Sequence, residues 1–383
     1  MTTTSAATGG TELSGLDGAN PLGYLAAVGA LVTARSVGEA GARLRWTRGT
    51  TWVPLIESVS TTDAAAFSDV IARGLAGRSV SEDGVERREK AQVAWERASK
   101  AVRDKLDEIK GRRLKGAERK AAIESLVRPL EQERDPLRQE WLKALAEVVP
   151  RPELALGKQL NCTSDEYREH ARSFAASANH ATREVLDLLA AFGTDACLRS
   201  RSEVIEATPF CFITGSGHQY FLDTVGQLVS RVSPELVRRT LFEAWRYSDE
   251  GLSMRWDPKE DRRYALMDRD PTVSGNKPTT VWMANLLGYR ALALFPSAPS
   301  RDGLEVTGWS GLGEELAFTW PIWQGSLSLD GVRSVLQLKE LSESRPDRSA
   351  LRSRGIVGVF RARRIKVGTG ANFKLNFSPA RAV

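Results

Sequence analysis

Trp95-Glu96-Arg97-Ala98-Ser99-Lys100-Ala101-Val102-Arg103-Asp104-Lys105-Leu106-Asp107-Glu108-Ile109 decides how this chain is organised. Trp95, Ala98, Val102, Leu106 and Ile109 recur every three or four residues, and mostly charged or small residues separate them. That period lays one apolar stripe along a helix and leaves the rest of its surface solvated. The pattern belongs to a longer block, Ser81 to Val148, rich in Glu, Lys, Arg, Ala and Leu and poor in aromatics. Gly111 and Gly116 interrupt it. A second run continues from Ala117 through Ile123, Leu126, Leu130 and Leu137 to Leu142 and Leu145, with Pro129 and Pro136 expected to kink or split it. Pro150 and Pro152 close the block. It reads as a long, exposed, charged helical hairpin, residues 81–150, inserted into the surrounding protein.

Upstream, residues 1–12 are small and polar and are expected to lack fixed structure. Asn20-Pro21 reads as an N-cap followed by proline at the first helical position, opening a helix that ends near Arg35. Its Gly23, Ala26, Ala27 and Ala30 form a small-residue face on which another backbone can approach closely. Leu44 to Thr47 and Trp52 to Ile56 predict a hairpin turning at Arg48-Gly49, with Pro54 placing the second strand at a sheet edge. A short helix is expected from Asp63 to Arg73.

Downstream, residues 164–193 read as helical with Ser164 as the cap, and Pro209-Phe210-Cys211-Phe212-Ile213 reads as a buried strand. Helices are expected over 219–232, 234–245, 281–295 and 331–341, and extended segments over 303–309 and 316–320. The chain closes in a basic, strand-rich tail, Gly355 to Val367. The fold class is α+β: mixed, helix-rich and irregular, in three parts. These are an N-terminal α/β part (1–80), the helical hairpin insert (81–150) and an α+β C-terminal part with the basic tail (151–383). No repeat of fixed period occurs.

With 383 residues, 42% hydrophobic and 27% charged, the composition is that of a globular chain. A net charge of +6 and a pI near 9.3 favour an acidic partner, nucleic acid first among them. Met1 to Ser14 has neither a basic start nor an apolar core and does not read as a secretion signal. Pro21 to Ala34 is too short to span a bilayer. Three distant cysteines, Cys162, Cys197 and Cys211, argue against a disulfide framework or zinc ribbon and for a cytoplasmic location.

Three constellations could carry chemistry. The tail Phe360-Arg361-Ala362-Arg363-Arg364-Ile365-Lys366-Val367, continued by Lys374 and preceded by Arg348, Arg352 and Arg354, places Arg361 and Arg363 on one strand face and Arg364 and Lys366 on the other. Long cations on a rigid strand suit phosphate contacts, and a charged, aggregation-proof sheet edge is the competing reading. The loop Thr214-Gly215-Ser216-Gly217-His218-Gln219 precedes a helix start, where free amides favour anions, so Ser216, His218 and Gln219 are candidate contacts. It lacks the phosphate-loop lysine, and no Gly-x-x-x-x-Gly-Lys-Ser/Thr occurs anywhere.

Finally, Trp256 to Leu266 offers Arg262 and Arg263 as nucleic-acid contacts. Asp249, Asp257, Asp261 and Asp270 could alternatively be imagined as magnesium ligands of a metal-dependent nuclease. No histidine accompanies them, and His170, His180 and His218 are scattered. The sequence therefore predicts no catalytic residue, metal or cofactor. Trp309, Trp320 and Trp323 read as core.

Leu16-Asp17-Gly18-Ala19-Asn20-Pro21-Leu22-Gly23, Gly215-Ser216-Gly217-His218-Gln219-Tyr220-Phe221 and Arg255-Trp256-Asp257-Pro258 with Asp261-Arg262-Arg263-Tyr264-Ala265-Leu266 occur in that order. Phe318-Thr319-Trp320-Pro321-Ile322-Trp323 and the arginine-rich end follow. Together they resemble CRISPR-associated proteins of type I-G (formerly I-U) loci, the Csb/Csx large-subunit-like family; the block at about 81–150 has no counterpart in the resemblance. What it implies is a non-catalytic subunit of an RNA-guided surveillance complex (Cascade), in antiviral defence. Its partners would be other Cascade subunits, CRISPR RNA, target DNA near the protospacer-adjacent motif and a separate helicase-nuclease. In such complexes base pairing reads the long target and protein reads a short duplex motif.

Overall fold

The computed structural model describes residues 10–176, 178–179, 182–213, 219–260, 279–367 and 373–383. The first elements are β1 (Gly10–Glu12), α1 (Pro21–Ser36), β2 (Arg43–Arg48), β3 (Trp52–Glu57) and α2 (Ala64–Leu75). The charged block forms α3 (Glu82–Gly111), α4 (Gly116–Leu126) and α5 (Arg128–Val148), and α6 (Ser164–Ala175), α7 (Arg183–Phe192), α8 (Phe221–Val229) and α9 (Pro234–Phe242) follow. Then come β4 (Asp249–Glu250), β5 (Thr279–Thr280), α10 (Trp282–Ala291), β6 (Ser297–Ser300), β7 (Gly303–Val306), β8 (Trp309–Ser310), β9 (Ala317–Trp323) and β10 (Leu327–Ser328). The last are α11 (Leu329–Leu336), α12 (Arg348–Ser353), β11 (Ile356–Val367), β12 (Lys374–Phe377) and β13 (Arg381–Ala382). The architecture is mixed α+β with several small antiparallel sheets. Residues Met1–Ala76 and Lys158–Val383 form one compact unit, and Gly77–Gly157 forms a second.

In the larger unit α1 is buried from Pro21 to Ala34, because its residues are apolar or small all round. The Asn20 side chain caps it, accepting from the amides of Leu22 (2.9 Å) and Gly23 (3.1 Å). On one side Tyr24 stacks on Trp46 of β2 and packs against Phe318 and Trp320 of β9. On another, α10 crosses so closely that a Cβ built at Gly29 would lie 1.8 Å from the Leu287 carbonyl oxygen. Close backbone approach on a small-residue face is thus realised at Gly29, and also at the expected Gly23, where a Cβ would lie 2.3 Å from the Asp17 carbonyl oxygen.

β2 and β3 form the expected hairpin, but β3 is interior: the strand order is β1-β3-β2-β10. Pro54 is tolerated there because β1 ends opposite Leu55, and the Pro54 carbonyl accepts from the Leu13 amide at 2.9 Å. The missing N–H therefore faces a place where no strand needs it. The second sheet runs β12-β11-β9-β8, with β13 also paired to β11. All seven residues of β9 are buried; Trp320 donates to the Gly18 carbonyl and Trp323 to that of Leu44.

Residues 209–213 are not a strand. Turns and irregular backbone carry Phe210 into a cluster with Trp256, Phe295, Trp309 and Phe318, and the Phe210 carbonyl accepts from Trp256. An apolar run of five signals burial alone, and here side-chain packing sets the backbone path. The cap of α6 is Thr163, in a reciprocal capping box with Glu166, one residue before the expected Ser164.

The smaller unit has three helices where a two-helix hairpin was expected. The break at Gly111–Gly116 is followed by a short α4, joined to α5 through Val127 and packed on α3 through Ala122 and Ile123. Pro129 sits in the first turn of α5, where no amide is needed, and Pro136 lies inside it. Val102, Ile109 and Val127 form a small core with Leu114, Ala122, Ile123 and Leu130 packed on it, while Leu106 of the apolar stripe is 37% exposed. Trp95 and Trp141 stack at 4.4 Å, and the Arg138 guanidinium lies 5.2 Å and 5.8 Å from their rings.

Candidate nucleic-acid interface

The charge of the chain is concentrated at its end. Residues 345–383 hold ten lysines and arginines against a single acid, Asp347, a net +9 that exceeds the +6 of the whole chain. Asp347 is occupied as the N-cap of α12, accepting from the amides of Ser349 and Ala350. Arg345, Arg348, Arg352 and Arg381 are exposed and form no ion pair among the described residues.

Strand alternation on β11 splits the expected arginine cluster. Arg361 and Arg363, with Arg381 from β13 and Ser378, line an open groove of about 370 Å³. Arg363 is exposed, and its pairing with the solvent-exposed Glu315 at 3.5 Å is loose, so it stays available to a phosphate. Arg361 lines the groove but its donors are taken. Nε bonds Thr319 Oγ1 at 2.8 Å, Nη1 the Ser344 carbonyl at 3.1 Å, and Nη2 those of Glu343 (2.5 Å) and Leu341 (3.4 Å). Partial burial pushes its pKa down from the ordinary arginine value. Arg361 fastens the segment 341–344 onto the sheet.

On the opposite face Ala362 is fully buried, and Arg364 lines a separate cleft of about 720 Å³ with Glu206, Trp309, Gln337 and the loop Gly308–Gly313. Desolvation lowers the Arg364 pKa, partly offset by the Cys211 thiol and Glu206 nearby. Burial pushes Cys211 itself up to about 12, leaving it a poor nucleophile. Lys366 is exposed with its Nζ 4.9 Å from the Phe373 ring, and Lys374 is exposed at the start of β12. Sequence reasoning placed Arg348 and Arg352 just upstream of the tail, but missed Arg381 as part of the cationic groove, and missed the cleft. Clustering of basic residues in the last 39 positions was the available signal for the first. Nothing in the sequence brings Glu206 and Arg364 together.

Described residues of the three sequence motifs quoted from the first two-thirds of the chain are joined by hydrogen bonds, Asn20 to Asp257 and Gln219 to Arg255. Asp257 is wholly buried; Asn20 Nδ2 donates to it at 2.8 Å, Tyr247 Oη at 2.6 Å and the Lys259 amide at 2.9 Å. Gln219 accepts from Arg255 at 3.1 Å. Beside them Glu260 accepts from Ser253 (2.5 Å) and Thr280, and Asn285 ties Thr280 to the Met254 amide. Burial and the neighbouring Asp257 push the Glu260 pKa up to about 8. Tyr247, Leu252 and Arg255 all have positive φ (52°, 56° and 63°), so the segment leading to Asp257 is strained, and this bonding holds it.

Of the four aspartates imagined as metal ligands, Asp257 is sequestered and Asp249 caps α10 through the Trp282 amide at 2.8 Å. Asp261 and Asp270 lie outside the described residues, as do Ser216, His218, Arg262 and Arg263. No group of three or more potential metal-binding side chains occurs among the described residues. No helix among them is long and apolar enough to cross a membrane.

The chain matches no protein-family model, no curated protein and no solved structure. The functional reading therefore stands on the geometry of the cationic face and on the sequence motifs.

Proposed function

We propose that the chain is a non-catalytic, nucleic-acid-binding subunit of a type I CRISPR RNA-guided surveillance complex, large-subunit-like, acting at target DNA near the protospacer-adjacent motif. The nucleic-acid half of this reading rests on one observation: a net +9 segment whose sole acid is used as a helix cap, displayed in part on a five-stranded sheet. Paired strands hold Arg363 and Arg381 on fixed backbone beside one groove, so less freedom is lost when phosphates bind than on a loose tail. Membership of a Cascade complex, with CRISPR RNA, sister subunits and a helicase-nuclease as partners, rests on the motif resemblance.

Replacing Arg352, Arg363 and Arg381 together by Gln tests the interface. Each lost phosphate contact removes about 0.9 from the slope of log K against log salt on duplex DNA, so the triple variant should bind on the order of a hundredfold more weakly near 0.15 M salt. Equal affinity and slope in variant and parent would overturn the assignment of this face. Absence of any binding by the parent to duplex DNA, single-stranded DNA or RNA at low salt would overturn the nucleic-acid reading altogether. The rival, a magnesium-dependent nuclease, requires cleavage by the purified protein with magnesium or manganese that Asp257→Asn abolishes while the fold persists.

A further inference from the structure

The smaller unit carries a second cationic surface that the C-terminal face does not explain. Between residues 110 and 120 the chain places Lys110, Arg112, Arg113, Lys115, Arg119 and Lys120 against one acid, Glu118, and all seven side chains are exposed. Elsewhere in this unit cations and acids are nearly balanced, thirteen against fifteen, and several are paired, although Arg97, Lys100, Arg103 and Lys143 form no ion pair among the described residues. Lys90 pairs with Glu86, Arg128 with Glu124 and Glu131, Arg134 with Asp135 and Arg87 with Glu147. At the α3–α4 turn only Arg112 is paired, with Glu108; Lys110, Arg113, Lys115, Arg119 and Lys120 form no ion pair among the described residues.

The cations at the start of α4 work against that helix, whereas those at the end of α3 do not. Lys110 and Arg112 sit at the C-terminal end of α3, where positive charge is favourable. Lys115 is the N-cap of α4 and makes no side-chain cap hydrogen bond, at a position that favours Ser, Thr, Asp or Asn. Arg119 and Lys120 follow within the first turn and a half, facing the positive end of the helix dipole. Three cations at a helix start, offset only in part by Glu118 in the first turn, cost stability, so helix formation does not account for them. The first amides of α4 add donors that point the same way. The core of Val102, Ile109 and Val127 holds the turn rigid, with Leu114 packed inward.

We propose that the α3–α4 turn is a second contact for the nucleic-acid backbone. This rests on the reading of the chain as a nucleic-acid binder and adds the surface through which the helical block takes part. Residues 110–120 expose no large apolar side chain that could insert into a bilayer or anchor a protein partner, and that favours a hydrated, phosphate-rich ligand over a membrane or a protein groove.

The test uses the full chain carrying Arg113→Asn, Lys115→Ser, Arg119→Gln and Lys120→Gln, titrated against fluorescent 30-mer RNA, single-stranded DNA and duplex DNA across a salt series. At least a tenfold weakening on one of these near 0.15 M salt is expected, with a shallower salt slope and a melting temperature equal to or above the parent's. The higher stability separates a binding role from a structural one, since Lys115→Ser restores a helix cap. Swapping the same positions between Lys and Arg should leave binding intact. If this variant binds as the parent does while the Arg352, Arg363 and Arg381 variant is impaired, the inference falls and the functional reading stands. If the parent binds no nucleic acid, both fall. Loss by the variant of binding to phosphatidylserine vesicles or to polyglutamate, with nucleic-acid binding unchanged, would also overturn the inference.

Discussion

Glu260 makes the stability of the larger unit depend on pH in a direction opposite to most paired carboxylates. Its carboxyl is buried, hydrogen-bonded to the Ser253 and Thr280 hydroxyls, and its pKa is pushed from 4.5 up to about 8 by burial first and by Asp257 second. A carboxyl whose pKa rises on folding favours the native state when protonated. The contribution is complete below pH 4.5 and is lost as pH rises through about 8. A tenfold change in proton affinity corresponds to about 1.4 kcal/mol, so the folded state should lose about 3 kcal/mol from this group between pH 5.5 and 8.5. Glu260→Gln keeps the shape and cannot ionise. Urea denaturation of both proteins at pH 5.5, 7.0 and 8.5 should show the parent falling behind the variant by about that amount as pH rises. Parallel pH dependence of the two would refute the claim that burial keeps this carboxyl protonated.

Two further outcomes follow from the packing. Gly29→Ala would drive a methyl group into the Leu287 backbone and should cost more than about 3 kcal/mol, read as a lowered urea midpoint; a near-neutral effect would mean that α1 and α10 do not meet as closely as described. Arg361→Lys keeps the charge but loses the fork that grips the carbonyls of 341, 343 and 344. It should lower stability by about 1–3 kcal/mol while leaving nucleic-acid affinity and salt slope unchanged, and the reverse pattern would make Arg361 a phosphate ligand after all.

Arg361 also shows where sequence reasoning stops. Alternation along Phe360 to Val367 correctly put Arg361 with Arg363 and Arg364 with Lys366 on opposite faces, because a strand has a side-chain period of two whatever it packs against. The pattern could not say which cations would be absorbed by the protein. The carbonyls that occupy Arg361 belong to a segment some twenty residues away, and the cleft that takes Arg364 is built from several separate parts of the chain.

Local rules decided the helices of the charged block, the Asn20 cap, the β2–β3 hairpin and the long basic strand, since each depends on residues within a turn or two of one another. Tertiary structure decided the rest. It placed Pro54 in an interior strand, turned the apolar run 209–213 into a buried bend, and drew Asn20 into one hydrogen-bonded knot with Tyr247 and Asp257, more than two hundred residues further along the chain. Charge and periodicity are properties of the chain itself. Which charge faces solvent depends on which distant donors and acceptors must be satisfied once water is gone, and only the folded packing determines that.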